Sequence, residues 1–134
     1  MIDTHAHLDF PEYDQDREDV ISRAFNNRIK AIVNIGVDLE TSKKSVELAE
    51  QHESIYAAVG FHPHDSSEKL SLPNEKEIEE MKRLAEHEKV VAIGEVGLDY
   101  FYYKEPDQIK IQKKLFLKQI EIALELKLPV VIHC

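Results

Sequence analysis

Residues 29–36 read Ile29-Lys30-Ala31-Ile32-Val33-Asn34-Ile35-Gly36, an apolar stretch rich in β-branched side chains. Such a run is typical of a strand that is buried on both faces of a parallel sheet. Comparable strand-like stretches recur at 1–5, 55–61, 90–96 and 128–133. Because segments with helical spacing of apolar residues lie between them, the pattern predicts a parallel α/β sheet with right-handed crossovers.

Four helices are predicted between these strands, over 16–27, over 41–52 with Asp38 or Thr41 as N-cap, from Pro73-Asn74 onwards, and over 108–127. An open doubly wound sheet and a (β/α)₈ barrel both contain this alternation. No phosphate-cradling glycine motif follows the first strand, which argues against a nucleotide-binding fold.

A barrel takes about 250 residues, whereas this chain has 134 and its last residues form the fifth strand. We therefore expect a (β/α)₈ TIM-type barrel, of which this chain supplies about the first five strands and four helices. The single domain that we expect over 1–134 is then the N-terminal part of that barrel, either as a natural truncation or as a fragment.

Composition limits the functional classes. The net charge of −9 argues against general electrostatic attachment to DNA, so any contact with nucleic acid must be local. No apolar run approaches the ~18 residues of a membrane span, and no signal peptide is visible. With Cys134 as the single cysteine, we expect a reduced, cytoplasmic protein without a membrane or an evident obligate protein partner.

Polar side chains stand at the ends of the predicted strands. His5 and His7 end the first strand, Glu95 ends the fourth and His133 the fifth. His62 and His64 end the third strand, whereas the second has no obvious ligand. Because strand ends converge at the C-terminal face of a barrel, these residues are expected to meet there.

Glu95 decides the chemistry that we expect, since a carboxylate in an otherwise apolar strand needs a partner. Its two oxygens can bridge two cations, with His5 and His7 on one and His133 on the other. Two divalent metal ions about 3.5–4 Å apart would activate a bridging water and clamp a phosphoryl group. A later strand would have to supply the carboxylate that accepts the proton.

Asp99 follows Glu95 by four residues and is predicted either to bind substrate or to fix its loop. The aromatic run at 100–103 (Tyr-Phe-Tyr-Tyr) lies on the rim of the expected site. Packing against the helix layer and stacking with bases or sugars are both compatible with it.

The motifs at 3–9 (DTHAHLD), 60–64 (GFHPH), 94–100 (GEVGLDY) and 129–134 (PVVIHC) resemble the TatD family of metal-dependent deoxyribonucleases in order and spacing. The resemblance covers the whole chain. It implies a (β/α)₈ barrel that hydrolyses DNA phosphodiesters with divalent cations, often as a 3′–5′ exonuclease.

The same resemblance implies roles for single residues. His5 and His7 bind one metal, Glu95 bridges both as the catalytic centre, and His133 binds the second. His62 and His64 lie near the substrate phosphate. The family has a further His and Asp beyond the fifth strand, and this sequence ends before either.

The identity of the metal stays open among Mg, Mn and Zn, and the substrate is DNA ends or another phosphodiester. An amide or ester hydrolase, or an aminoacyl-tRNA deacylase, uses the same scaffold and is the alternative. An inactive half-barrel fragment that aggregates or dimerises is the third hypothesis.

Overall fold

The structure is a computed structural model that describes residues 1–133. Cys134, the single cysteine and the last residue of the fourth motif, lies outside the described residues. Within this range, no helix combines the length and the apolar content that crossing a membrane requires.

Five parallel strands form one sheet in the order of the sequence, β1-β2-β3-β4-β5. In a doubly wound sheet the strand order reverses at a switch point, whereas a barrel adds each strand beside the previous one. The observed order and the curl of the sheet therefore correspond to half of a barrel. The strands are β1 Ile2–Ala6, β2 Ala31–Ile35, β3 Ile55–Val59, β4 Val90–Gly97 and β5 Val130–His133.

Over residues 1–133 the structure has five α-helices where the sequence predicts four. They are α1 Arg17–Asn26, α2 Leu39–Gln51, α3 Pro63–Lys69, α4 Glu75–Ala85 and α5 Pro106–Leu126, with a 3₁₀ turn at Pro11–Tyr13 before α1. The additional helix is α3, which has seven residues and a polar sequence. A helix of two turns without an apolar stripe leaves no periodic signal in the sequence.

Local capping sets where the predicted helices begin. The Asp38 carboxylate accepts a hydrogen bond from the Thr41 amide at 2.7 Å, so both N-cap candidates take part in one capping box at the start of α2. Asn74 caps α4 in the same manner, accepting from the amides of Lys76 and Glu77. These caps satisfy backbone donors that the first turn of a helix leaves free.

The main core lies between the sheet and the helices. Ile55, Ala57 and Val59 of β3 face this core, together with Met81 of α4 and Leu115 of α5. Full burial of a valine, leucine, isoleucine or methionine side chain stabilises the folded state by about 1.5–3 kcal/mol. A smaller apolar cluster on the opposite face of the sheet consists of Ile35, Ala58 and Ala92, with Val33 and Val131 against it.

Two strands that carry metal-ligand candidates are irregular. In β4, residues 93 and 96 are three residues apart, but their partners in β5, residues 130 and 132, are only two apart. In β1, residues 3 and 6 likewise pair with residues 32 and 34 of β2. An extra residue of this kind bends the strand and re-aims its side chains. Glu95 lies in the first irregular segment and His5 in the second.

Candidate metal centre

The side chains of His5, His7 and Glu95 meet at one point beside the sheet. Nε2 of His5 lies 3.3 Å from Nε2 of His7, and Glu95 Oε2 lies 3.3 Å and 3.6 Å from these two nitrogens. A tetrahedral metal with ligand bonds of about 2.0–2.2 Å needs ligand atoms about 3.3–3.6 Å apart. The triangle has these dimensions, so the three residues fit a divalent cation.

The proton on His7 is fixed by its outer partner. Nδ1 of His7 lies 2.8 Å from the carbonyl oxygen of Ile35, at the end of β2. Because a carbonyl only accepts, Nδ1 carries the proton, and in the neutral ring Nε2 keeps its lone pair. That lone pair belongs to the atom of the triangle, which is the tautomer that a metal ligand requires.

Glu95 is buried, with 8% of its surface exposed, and its second oxygen serves a different partner. Nδ1 of His133 lies 2.9 Å from Glu95 Oε1, so one carboxylate contacts both candidate ligand groups. Burial raises the pKa of Glu95, but the hydrogen bond from His133 and the nearby His62 and His5 outweigh burial and hold it below its usual value. Glu95 is therefore ionised at neutral pH.

His133 reaches this carboxylate because β4 and β5 approach closely. Gly97 ends β4 at a φ of 156°, and a Cβ there would lie 2.2 Å from the carbonyl oxygen of His133. Only glycine fits both the backbone conformation and the space. The backbone of β5 can therefore lie close enough to present His133 to Glu95.

Asp99 is almost fully buried and accepts hydrogen bonds on both oxygens. Its Oδ1 accepts from the backbone amides of Phe101 and Tyr102, each at 2.9 Å. Its Oδ2 lies 2.5 Å from Nε2 of His64 and 3.3 Å from Nε2 of His133. Burial alone would raise the pKa of Asp99, but these hydrogen bonds hold it well below its usual value.

His62 and His64 lie at the start of α3, directly beyond the end of β3. The His62 amide donates to the Val37 carbonyl at 2.7 Å, and Nδ1 of His62 accepts from the His64 amide at 3.3 Å. Burial, then the charges of His133 and His64, lower the pKa of His62 to about 4. The ring of His62 is therefore neutral at pH 7.

The three imidazoles of His62, His64 and His133 form a second set of nitrogen atoms within 4.8 Å of one another. Nε2 of His62 also lies 3.9 Å from Glu95 Oε1. The structure thus gathers every residue that the sequence analysis selected into one cleft of about 440 Å³ or its wall. Asp99 stands behind the histidines, where its oxygens are occupied by protein groups.

Two buried glutamines that the sequence analysis did not select hold the loops of this cleft. Gln119 accepts from the Phe61 amide at 2.7 Å and donates to the Phe61 carbonyl at 2.8 Å. Gln112 makes the same pair of bonds with the backbone of Asp99, at 2.7 Å and 3.0 Å. A glutamine pair seven residues apart on the apolar face of α5 is the signal that could have revealed them.

The second strand also contributes a polar residue that the sequence analysis passed over. Asn34 is fully buried, accepts from the Leu8 amide, and donates to Asp9 at 2.6 Å and to Ser45 at 2.8 Å. These contacts fix the turn that directly follows His7. Asn34 therefore supports the site from behind and contributes no ligand atom to either group.

The aromatic run forms part of the rim and is largely exposed. Phe101 and Tyr102 have 74% and 70% of their surface exposed, so they do not pack against the helix layer. Tyr103 differs, since its hydroxyl donates to Glu68 at 2.6 Å and this bond raises the pKa of Tyr103 to about 12.

Residues 2–134 match the protein family described as TatD related DNase. The uncharacterized metal-dependent hydrolase YabD of Bacillus subtilis is 44% identical over 133 residues, which cover 99% of this chain and 50% of that protein. The 3′-5′ ssDNA/RNA exonuclease TatD of Escherichia coli is 36% identical over 135 residues, which cover 100% and 49%.

Among solved structures, YJJV, a TatD homologue from Escherichia coli, is similar with a TM-score of 0.85 and 34% identity, covering 99% of this chain and 50% of that one. The chain thus spans about half the length of the relatives it matches. The five-stranded half-barrel corresponds to the TIM-type barrel of these structures, which confirms the predicted fold class. From its sequence motifs, its fold and these matches, the chain belongs to the TatD-related DNase family.

Proposed function

We propose that this chain is the N-terminal part of a barrel enzyme that uses divalent metal ions to hydrolyse DNA phosphodiester bonds, as a 3′–5′ exodeoxyribonuclease. The observation that carries the proposal is the triangle of His5 Nε2, His7 Nε2 and Glu95 Oε2, whose sides of 3.3–3.6 Å fit a divalent cation. The name of the TatD relative, an exonuclease, supports the substrate class.

Two ions are proposed because Glu95 presents its oxygens to different partners. His5, His7 and Glu95 Oε2 would hold one cation, and Glu95 Oε1 with His133 would contribute to the second. Bound divalent cations polarise a phosphoryl oxygen and make water a stronger nucleophile at neutral pH. Mg, Mn and Zn are all compatible with this mixed set of imidazole and carboxylate ligands.

His62 is proposed to contact the substrate phosphate. With a pKa of about 4 the ring is neutral, and its Nδ1 already accepts a hydrogen bond from the His64 amide. The remaining nitrogen, Nε2, therefore carries the proton and faces the side of the cleft where Glu95 lies. A neutral N–H donor there can bind a phosphoryl oxygen without placing another positive charge among the ligands.

His64 and Asp99 are proposed to act as one unit. Because both oxygens of Asp99 accept bonds from protein groups, we infer that it serves the substrate through the two imidazoles it holds, His64 and His133. A carboxylate behind a ligand histidine fixes the orientation of the ring.

The test is hydrolysis of single-stranded DNA by the complete protein, with and without added Mg²⁺ or Mn²⁺. We expect mononucleotides to be released from the 3′ end, and Glu95→Gln to lower the rate by about three orders of magnitude, since several kcal/mol of charge stabilisation are lost. Glu121→Gln on the exposed face of α5 is the matched control.

Near-normal turnover by Glu95→Gln would show that the bridging assignment is wrong. Ester, amide and aminoacyl-tRNA probes belong in the same assay. If the complete protein cleaved only these probes, the result would contradict the nuclease proposal but leave the fold assignment unchanged.

A further inference from the structure

Phe101 and Tyr102, here called the rim pair, form an exposed aromatic corner beside the metal centre. Their ring centroids lie 4.7 Å apart with the planes at 86°. The Tyr102 ring lies 5.8 Å from the ring of His64, which in turn contacts Asp99. One imidazole thus separates the rim pair from the groups around Glu95.

The backbone that carries the rim pair is fixed. Asp99 Oδ1 accepts from both amides of the pair, and Gln112 holds the amide and the carbonyl of Asp99. The rings are therefore displayed to solvent by a turn whose conformation is already set. A ligand that binds there does not have to order the loop, which favours affinity.

A cation lies beside the same corner. Nζ of Lys104 is 5.5 Å from the centroid of the Phe101 ring, and Lys104 is exposed. In a chain of net charge −9, an ammonium group over one of two largely exposed rings suits a ligand that has both a flat apolar face and a negative charge. A nucleotide combines these two properties.

We propose that the rim pair stacks unpaired bases of a single-stranded substrate, with Lys104 near the adjoining phosphate, so that the neighbouring linkage lies at the metal centre. This proposal rests on the proposed nuclease function and assigns the side chains that would hold a single-stranded end. Aromatic side chains bind the faces of bases, and within a duplex those faces are covered by neighbouring base pairs. The rim pair therefore selects strands whose terminal bases are unstacked.

The binding test uses the complete protein with Glu95→Gln to slow turnover, and single-stranded DNA that carries 2-aminopurine near its 3′ end. Stacking on a ring quenches the fluorescence of this base, so quenching is expected on binding. The double variant Phe101→Leu/Tyr102→Leu keeps apolar bulk but removes both ring faces. It should bind about tenfold more weakly and lose most of the quenching.

Two variants serve as controls. Tyr102→Phe keeps the ring and should retain the quenching. Leu124→Ala removes a side chain that is 73% exposed near the other end of α5, and it should change neither affinity nor fluorescence. Thermal unfolding of each variant checks that the fold is intact, and exposed positions are expected to tolerate these changes.

Activity gives a second readout in the protein with Glu95 intact. The double variant should raise KM for single strands about tenfold with little change in kcat, while a blunt duplex is affected less. Equal affinity and quenching with and without the rings, or equal losses on duplex and single strand, would overturn the stacking proposal alone. If the complete protein with an intact rim pair neither bound nor cleaved DNA, the proposed function would fail first, and the rim-pair proposal with it.

Discussion

Asp99 divides its two oxygens between two tasks. One oxygen holds the amides of the turn at 101–102, and the other holds the imidazoles of His64 and His133. Hydrogen bonds to a carboxylate in a buried position are stronger than those at the surface, because water does not compete for them. Asp99 therefore connects the rim of the cleft with its floor.

We predict that Asp99→Asn weakens metal binding about 10- to 100-fold, the usual effect of losing a partner behind a ligand histidine. The asparagine keeps the shape of the side chain, but its amide group cannot accept bonds from both sides. Calorimetric titration of the complete protein with Mn²⁺ measures the change. Asp107→Asn, an exposed change in the first turn of α5, is the control. Equal affinity in Asp99→Asn and the unmodified protein would contradict this role.

The candidate ligands could be predicted because each stands at the end of a strand, and parallel strands bring their ends to one edge. His5, His7, Glu95 and His133 meet for this reason. The partners of Asp99 could not be predicted, since they depend on side chains 34 and 35 residues away in the chain. The sequence predicted that Asp99 either binds substrate or fixes its loop, and the bonds of Oδ1 to the amides of Phe101 and Tyr102 correspond to the second alternative.

At the scale of the element, α5 is the common support of the site. Gln112 and Gln119 stand seven residues apart, which is about two helical turns, so both side chains lie on the same face of α5. One holds the loop after β4 at Asp99, and the other holds the loop after β3 at Phe61. Two loops that are distant in sequence are thereby attached to a single rigid helix.

We predict that Gln119→Leu lowers the free energy of unfolding by about 2–5 kcal/mol, because it leaves the amide and carbonyl of Phe61 buried without partners. Leucine preserves most of the volume, so the loss reports the hydrogen bonds more than a cavity. Urea unfolding measures it, with Lys118→Ala at an exposed neighbouring position as the control. A loss equal to that of the control would show that the Phe61 loop does not depend on α5.

Element types were predictable and local irregularities were not. Apolar, β-branched runs predicted β2 to β5, whereas β1 is short and mostly polar. Apolar stripes predicted four of the five helices described over residues 1–133. The short helix α3 at Pro63–Lys69 is polar and starts at a proline, so it has no periodic signal. The bulged segments at 3–6 and 93–96 arise from pairing between strands, which the sequence of one strand does not encode.

On the scale of the whole molecule, the metal centre joins strands from both edges of the sheet. His5 belongs to β1, Glu95 to β4 and His133 to β5, while the sheet runs in order from β1 to β5. Only a curled sheet brings these side chains together. A ligand that contacts several of them therefore stabilises the folded arrangement of the sheet as a whole.

We predict that a divalent cation at 100 times its dissociation constant stabilises the complete protein by about 2.7 kcal/mol, since it binds the folded state and not the unfolded chain. Thermal unfolding in EDTA and in Mn²⁺ measures the difference as a rise in Tm. The double variant His5→Ala/His7→Ala should lose most of that rise. If it kept the whole shift, the stabilising ion would bind elsewhere.

The sequence predicted the architecture of the whole molecule only as one of two alternatives. Alternating strands and helices left a barrel and a doubly wound sheet open, and the lack of a glycine-rich phosphate motif after β1 favoured the barrel. The curvature that decides between them comes from packing across the whole sheet. Small residues such as Ala58 and Ala92 on its second face belong to that packing, and no single segment shows it.

The shared carboxylate of Asp99 has a consequence for cooperativity. The turn at 101–102 and the imidazoles of His64 and His133 bind the same side chain. A displacement of Asp99 would therefore change its hydrogen bonds to the turn and to both imidazoles. Thermodynamic linkage makes such an effect reciprocal: the factor by which a ligand on the turn changes metal affinity equals the factor by which the metal changes affinity for that ligand. Any ligand on the turn that displaced Asp99 would therefore change metal affinity, and the metal would change the affinity for that ligand by the same factor.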